Sequence, residues 1–80
     1  MQVTILAFGI AKDIIGTKTI DLELPSGSTV SSLKEKLTQK FPAFQRLVSL
    51  AVAVNASYAA DDQILMEEDE IVLIPPVSGG

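Results

Sequence analysis

The sequence predicts a single α+β domain in which one main helix lies on one face of a four- to five-stranded mixed sheet. Two observations predict this class. Several segments have the alternating or wholly apolar pattern of strands, whereas one segment has the period of an amphipathic helix. The chain has 80 residues, enough for one hydrophobic core and not for two. We predict a domain over residues 1–74 and an extended C-terminal tail over residues 75–80.

The first part of the chain predicts a hairpin. Residues 2–8 mix β-branched and other apolar side chains, as a strand does, and residues 18–24 alternate cleanly between apolar and polar. Residues 10–15 form a short helical or irregular link between them. The two strands therefore pair, with the alternating one half-buried.

The helix follows a turn at residues 25–28, whose proline, serines and glycine are typical of turns. Thr29 is the predicted N-cap of a helix over residues 30–40, because a threonine hydroxyl accepts hydrogen bonds from the first free amides. Residues 43–48 are a second short helical turn. The helix carries one apolar stripe, which consists of Val30, Leu33 and Leu37.

The second half predicts two interior strands. Residues 50–54 and 70–74 are nearly continuous apolar runs, the pattern of strands that are buried on both faces. Between them, residues 55–69 are predicted to be irregular, with Ile64 and Leu65 as hydrophobic anchors.

One helix covers only one face of such a sheet, so the apolar side chains on the other face need another explanation. We predict a partner interface there, formed by Phe8, Tyr58 and Ile74, because exposed apolar patches commonly mark protein interfaces. Two alternatives stay open: a long loop folds over this face, or these side chains belong to the core.

The chain ends in a distinctive tail, which reads Pro75, Pro76, Val77, Ser78, Gly79 and Gly80. The prolines favour a stiff extended stalk, and the two glycines present bare backbone that fits a narrow channel. The Gly80 carboxylate is a poor electrophile and must be activated before it reacts. The alternative is an ordinary frayed terminus.

Composition excludes several kinds of function. Cysteine and histidine are both absent, which removes disulfides, thiolate chemistry, the usual soft metal ligands and the commonest general base. We expect no metal site, no cofactor bound by this chain and no catalytic side chains of its own. No membrane span and no signal peptide is recognisable, so the expected location is cytoplasmic.

Charge is unevenly distributed along the chain. Residues 1–60 carry six basic and four acidic side chains, whereas residues 61–80 carry six acidic and no basic ones. We expect the end that bears the tail to be acidic, which argues against nucleic acid and suits a partner with a basic rim. Residues 67–70 are a solvated turn in this interpretation, since they lack the spacing of a calcium loop.

The sequence resembles the small-subunit family of molybdopterin synthase, within the ubiquitin-like β-grasp fold. The resemblance covers nearly the whole chain, and the Pro-Pro-Val-Ser-Gly-Gly ending is its most specific part. One departure is Glu68, where the family commonly has a glycine. The matching segments are residues 8–16, Thr29 and Val30 with Leu33, residues 53–55 and residues 69–72 leading into the tail.

The resemblance implies a sulfur-carrier subunit of a heterotetrameric transferase. An adenylating partner enzyme uses ATP to activate Gly80, and a persulfide sulfur donor then converts it to a thiocarboxylate. The tail enters the large subunit of the synthase, where the sulfur passes to a cyclic pyranopterin precursor to form a dithiolene. The same resemblance puts partner contacts at the Phe8, Tyr58 and Ile74 positions.

Two other functions share the Gly-Gly ending. A ubiquitin-like modifier joins its terminal glycine to lysines of target proteins, and a thiazole or tRNA-thiolation carrier delivers sulfur to another acceptor. All of these begin with adenylation, so the tail alone does not separate them.

Overall fold

The fold was analysed in a computed structural model, which describes residues 1–47 and 50–74. Within these residues, five strands, two α-helices and one 3₁₀-helix follow one another. In order they are β1 (Gln2–Ala7), α1 (Gly9–Ile15), β2 (Thr19–Glu23), α2 (Val30–Lys40), the 3₁₀-helix (Pro42–Arg46), β3 (Ala51–Val54), β4 (Ser57–Tyr58) and β5 (Ile71–Ile74).

The strands form one mixed sheet in the order β2-β1-β5-β3-β4. The central pair, β1 and β5, is parallel, and Ile5 lies opposite Ile71. The other pairs are antiparallel. Because β1 and β5 are parallel, the end of β5 that leads into the tail lies beside the carboxyl end of β1.

One face of the sheet packs against α2, and we call it the covered face. Val3, Ile5 and Ala7 of β1 and Ile71 and Leu73 of β5 are fully buried there. They pack in one hydrophobic core with the apolar stripe of α2, which is Val30, Leu33 and Leu37. The predicted α+β class, with a mixed five-stranded sheet and one main helix, is confirmed.

The start of α2 is fixed by its predicted cap. The Thr29 hydroxyl oxygen accepts a hydrogen bond from the Ser32 backbone amide at 3.2 Å, which satisfies one of the free amides of the first turn. The short link after β1 is helical, and Gly16 ends it with φ at +90°, a conformation that favours glycine.

A side-chain clamp joins the turn after β3 to the segment that precedes β5. Asn55 donates from its amide nitrogen to the Asp69 carboxylate at 2.9 Å and accepts from the Glu70 backbone amide at 2.9 Å. The other oxygen of Asp69 accepts from the Met66 amide at 2.8 Å. The clamp sets where β5 begins.

Two sequence expectations for residues 55–69 are wrong in detail. This segment contains the short strand β4, which a two-residue pattern is too short to predict. Leu65 is the buried anchor that was expected, but its neighbour Ile64 is 57% exposed. Consecutive residues of an extended segment point to opposite sides, so only one of them reaches the core. Glu68 has no positive φ, so its position does not require glycine.

Candidate functional site

The face of the sheet opposite α2, which we call the open face, carries a row of side chains that crosses four strands. Leu6 pairs with Val72, Val72 pairs with Ala53, and Ala53 pairs with Tyr58. Directly paired residues lie on the same face, so these four side chains are neighbours. Tyr58 is 76% exposed at one end of the row.

Phe8 and Ile74 extend this row towards the root of the tail. Phe8 follows β1 in extended conformation, with φ at −131° and ψ at 162°, so its side chain lies on the same face as that of Leu6. The register that pairs Ala7 with Leu73 places Phe8 beside Ile74. Phe8 is 49% exposed and Ile74 is partly buried.

The three residues predicted for the interface therefore lie on one continuous apolar surface. Phe8, Tyr58 and Ile74 stay outside the core cluster. Sequence reasoning did not select Leu6, Ala53 and Val72 as site residues, although the same alternation along β1, β3 and β5 places them there. Their role as partner contacts stays a prediction.

The predicted tail residues, Pro75, Pro76, Val77, Ser78, Gly79 and Gly80, lie outside the described residues. The structure gives the point where the tail begins. Ile74 is the last residue of β5, so the tail starts directly beside Phe8, at the end of two interior strands of the sheet. Any partner that binds the tail is therefore close to this apolar surface.

The expectation that the tail end is acidic is wrong. Asp61, Glu67 and Glu68 precede β5, and the four residues of this strand, about 13 Å in length, separate that acidic segment from the start of the tail. The start of β5 points to the amino end of β1, since the two strands are parallel and Ile71 lies opposite Ile5. Leu65 lies at that end too, because its amide donates to the Ser28 carbonyl at 2.8 Å, in the turn that follows the Leu24–Met1 pair. Two segments that are close in sequence lie far apart in space when an extended strand connects them.

Near the root of the tail, basic residues outnumber acidic ones: Lys12, Lys18 and Arg46 lie there together with Asp13 of α1. Lys18 accepts at its carbonyl oxygen from the Ala7 amide at 2.8 Å, and Lys12 belongs to α1, which follows β1 directly. Arg46 ends the 3₁₀-helix that packs against α1. Among the described residues, ion pairs join Met1 to Glu23 and Lys34 to Asp61, so these three cations form none there.

Within residues 1–47 and 50–74, no group of three metal-ligating side chains is brought together. Over the same part of the chain, no helix is long and apolar enough to cross a membrane.

The sheet order, the crossing helix and the strand that leads into a Gly-Gly terminus define a ubiquitin-like β-grasp protein. The chain belongs to the ThiS family, whose model matches residues 5–80. Together with the relatives described next, this match confirms the resemblance to the small-subunit family of molybdopterin synthase.

Curated relatives match the chain along almost its whole length. A molybdopterin synthase sulfur carrier subunit of Arabidopsis thaliana is 36% identical, over 100% of this chain and 84% of the relative. A subunit with the same name from Dictyostelium discoideum is 39% identical, over 99% of this chain and 96% of the relative.

Solved structures share the fold. A protein described as subunit 1 of molybdopterin converting factor from Pyrococcus furiosus has a TM-score of 0.88 at 26% identity, covering 96% of this chain and 99% of that one. A chain from a complex of subunits 1 and 2 of molybdopterin-converting factor of Helicobacter pylori has 0.68 at 26%, with full coverage of both. Small archaeal modifier protein 1 of Methanosarcina acetivorans has 0.80 at 26%, covering 99% and 96%.

Proposed function

We propose that this chain is the sulfur-carrier subunit of a molybdopterin synthase. In this proposal the Gly80 carboxylate takes up sulfur as a thiocarboxylate and donates it to a cyclic pyranopterin precursor, where the sulfur becomes part of the dithiolene. The observation that carries the proposal is the apolar open face that ends at Ile74, where the Pro-Pro-Val-Ser-Gly-Gly tail begins. The relatives' shared name supports the choice among ubiquitin-like functions.

The chemistry starts with an activating partner, because a carboxylate is a poor acceptor of nucleophiles. A Gly80 oxygen attacks the α-phosphorus of ATP, and pyrophosphate leaves. The terminal sulfur of a partner's persulfide then attacks the acyl carbon, and AMP leaves. A second thiol cleaves the resulting acyl disulfide, which leaves a thiocarboxylate on Gly80 and a disulfide between the two thiols.

The second partner is the large subunit of the synthase. The complex of subunits 1 and 2 from Helicobacter pylori supports a partner of this kind. In our proposal Phe8, Tyr58 and Ile74 bind that subunit while residues 75–80 enter its active site. Glycines 79 and 80 suit a narrow channel since they have no Cβ. Binding by the open face fixes the start of the tail. It thereby restricts the positions that Gly80 can occupy and favours those in which its sulfur is close to the pyranopterin precursor.

The charges near the root of the tail indicate the rim that this partner presents. Lys12, Lys18 and Arg46 form no ion pair among the described residues, and like charges on the partner would repel them. We therefore infer an acidic rim around the channel of the large subunit, in place of the basic rim expected from the sequence. Association should slow as salt is added.

Intact mass spectrometry tests the proposed chemistry. The protein is incubated with its cognate activating enzyme, ATP and a persulfide donor, and we expect one oxygen of Gly80 to be replaced by one sulfur. A chain without Gly79 and Gly80 is the matched control and should gain no sulfur. An unchanged mass together with isopeptide bonds from Gly80 to lysines would contradict the proposal.

A second candidate is a protein modifier, which the likeness to small archaeal modifier protein 1 favours. Conjugation to lysine also starts from the adenylate, but the acceptor is an amine of another protein. A third candidate is a carrier for thiazole or tRNA thiolation. Transfer of sulfur from the loaded protein to a pyranopterin precursor, in the presence of the large subunit, separates the first function from both others.

A further inference from the structure

Several shallow grooves lie on the described part of the surface, and one of them contains the exposed apolar side chains of Ile64 and Met66. It measures about 420 Å³ and we call it the distal groove. Its lining residues are Met1, Ser26, Gly27 and Ile64–Glu68.

The distal groove lies at the end of the sheet opposite the root of the tail. The Leu24 amide donates to the Met1 carbonyl at 2.8 Å, and the Leu65 amide donates to that of Ser28 at 2.8 Å. These bonds hold both walls of the groove at the amino end of β1. The six residues of β1, about 20 Å in length, separate the groove from Phe8.

The apolar wall is formed by side chains that the fold turns outward. Leu65 is fully buried in the core, so Ile64 and Met66 on either side of it point away from the core. Ile64 is 57% exposed and Met66 is 53% exposed. They are too far from Phe8 to share its interface, and the thioether of methionine adapts readily to different partners.

The rim of the distal groove is acidic. Glu67 and Glu68 line it and are exposed, and neither forms an ion pair within residues 1–47 and 50–74. Asp69 is different, because its carboxylate is occupied by Asn55 and the Met66 amide. The cation at the groove, the Met1 amino group, is already paired with Glu23 at 3.4 Å.

We propose that the distal groove is a second protein-docking surface, whose occupant is a basic amphipathic segment of another protein. Leucine-like side chains of that segment cover Ile64 and Met66, and its lysines or arginines pair with Glu67 and Glu68. Because the groove lies at the far end of the sheet, it stays accessible while the open face and the tail are engaged. The carrier can then be held by one protein while a different protein acts on Gly80.

Other occupants are less well matched. A nucleic acid is repelled by the two glutamates. A second copy of this chain would have to present its basic end, with Lys12, Lys18 and Arg46, to the groove. That head-to-tail contact does not close on itself and would lead to open chains of molecules.

Amide NMR shifts of the isotopically labelled protein test the proposal. The probe is a synthetic helical peptide with leucines on one face and lysines on the other. We expect saturable shifts at residues 26–27 and 64–68, and on the order of 10-fold weaker binding after Ile64→Ser or Met66→Ser. The matched control is Ile10→Ser, since Ile10 is 47% exposed and belongs to α1, at the carboxyl end of β1. This variant should bind as the wild type does.

Two further measurements test the apolar face of the peptide and the independence of the two surfaces. A peptide with the same composition but no apolar face should give no saturable shifts, and the wild-type chain bound to the large subunit should bind the original peptide as tightly as the free chain. Equal binding of both peptides, shifts centred on Phe8 and Tyr58, or competition with the large subunit would overturn the proposal. So would sedimentation showing self-association that Ile64→Ser abolishes.

Discussion

The two faces of the sheet use similar side chains for different purposes. On the covered face, Ile5, Ile71 and Leu73 are fully buried against α2. On the open face, Leu6, Val72 and Ile74 are equally apolar, yet they are only partly buried, and Phe8 beside them is half exposed. Neighbours in sequence thus serve folding on one side and, in our proposal, binding on the other.

This comparison teaches that apolar composition alone does not identify the core. Successive side chains along a strand point to opposite faces of the sheet, and the face against which the helix packs is the one that is buried. The last residue of β5, Ile74, lies on the open face, so a partner held by that face is already next to the tail.

The largest expected effect is on sulfur transfer and comes from changes in the tail, which in our proposal serves function and does not stabilise the fold. Gly79→Val adds a branched side chain where the proposed channel admits only backbone. We expect sulfur transfer to fall by on the order of 100-fold or more while the melting temperature stays unchanged. Single-turnover transfer assays measure this effect.

Gly79→Ala is the matched control for tail threading and should show a smaller loss than valine. Transfer by Gly79→Val at close to the normal rate would mean that the tail does not enter a narrow channel.

On the open face, Phe8→Ala should weaken binding to the large subunit. Truncating a buried aromatic anchor commonly costs about 2 kcal/mol or more, roughly 30-fold in affinity. Calorimetric titration with the large subunit measures the loss, and Gln2→Ala is the control because Gln2 is an exposed residue at the far end of β1. A large drop in stability with unchanged affinity would assign Phe8 to the core instead.

The Asn55 clamp belongs to neither face, and its loss should affect stability more than binding. Asn55→Gly removes both side-chain hydrogen bonds but tolerates the φ of 52° at this position. We expect unfolding free energy to fall by about 1 to 3 kcal/mol. Urea denaturation measures this change.

Asn55→Ala separates the two roles of this residue, because it removes the same bonds and also strains the left-handed backbone. It should be less stable than Asn55→Gly. Equal stability of the two variants would show that backbone conformation contributes nothing at residue 55.

The smallest expected effect is at the cap of α2, on the covered side of the sheet. Thr29→Ala removes the acceptor for the Ser32 amide, which should cost about 1 kcal/mol of stability. Thr29→Ser keeps the hydroxyl and should retain most of it. Thermal melts of both variants are the measurement, and equal losses would argue against the cap.

Much of the fold could be predicted from local pattern. Thr29 and the stripe of α2 were evident because capping chemistry and helical period are local properties. Ile64 was misassigned because an apolar pair does not reveal which member reaches the core. The location of the acidic segment was misassigned because charge was counted along the chain, whereas β5 carries the chain across the sheet.

Part of the candidate site could be predicted from the alternation of side chains along each strand, which determines the face of the sheet on which a residue lies. Phe8 and Ile74 were found because they follow the alternation of their strands. The row through Ala53 depends on which strands are neighbours, and that register is a property of the whole sheet. The distal groove could not be predicted because it joins the chain's first residue to a loop near residue 65.

The most direct test of the account compares two adjacent isomeric side chains on β5. Leu73 is buried on the covered face and Ile74 lies on the open face. Unfolding free energy and affinity for the large subunit are measured for Leu73→Ala and Ile74→Ala. We expect Leu73→Ala to lose about 2 to 5 kcal/mol of stability while its folded fraction binds normally, and Ile74→Ala to lose affinity with a smaller loss of stability. The reverse pattern, or the same pattern for both variants, would contradict the division between the two faces.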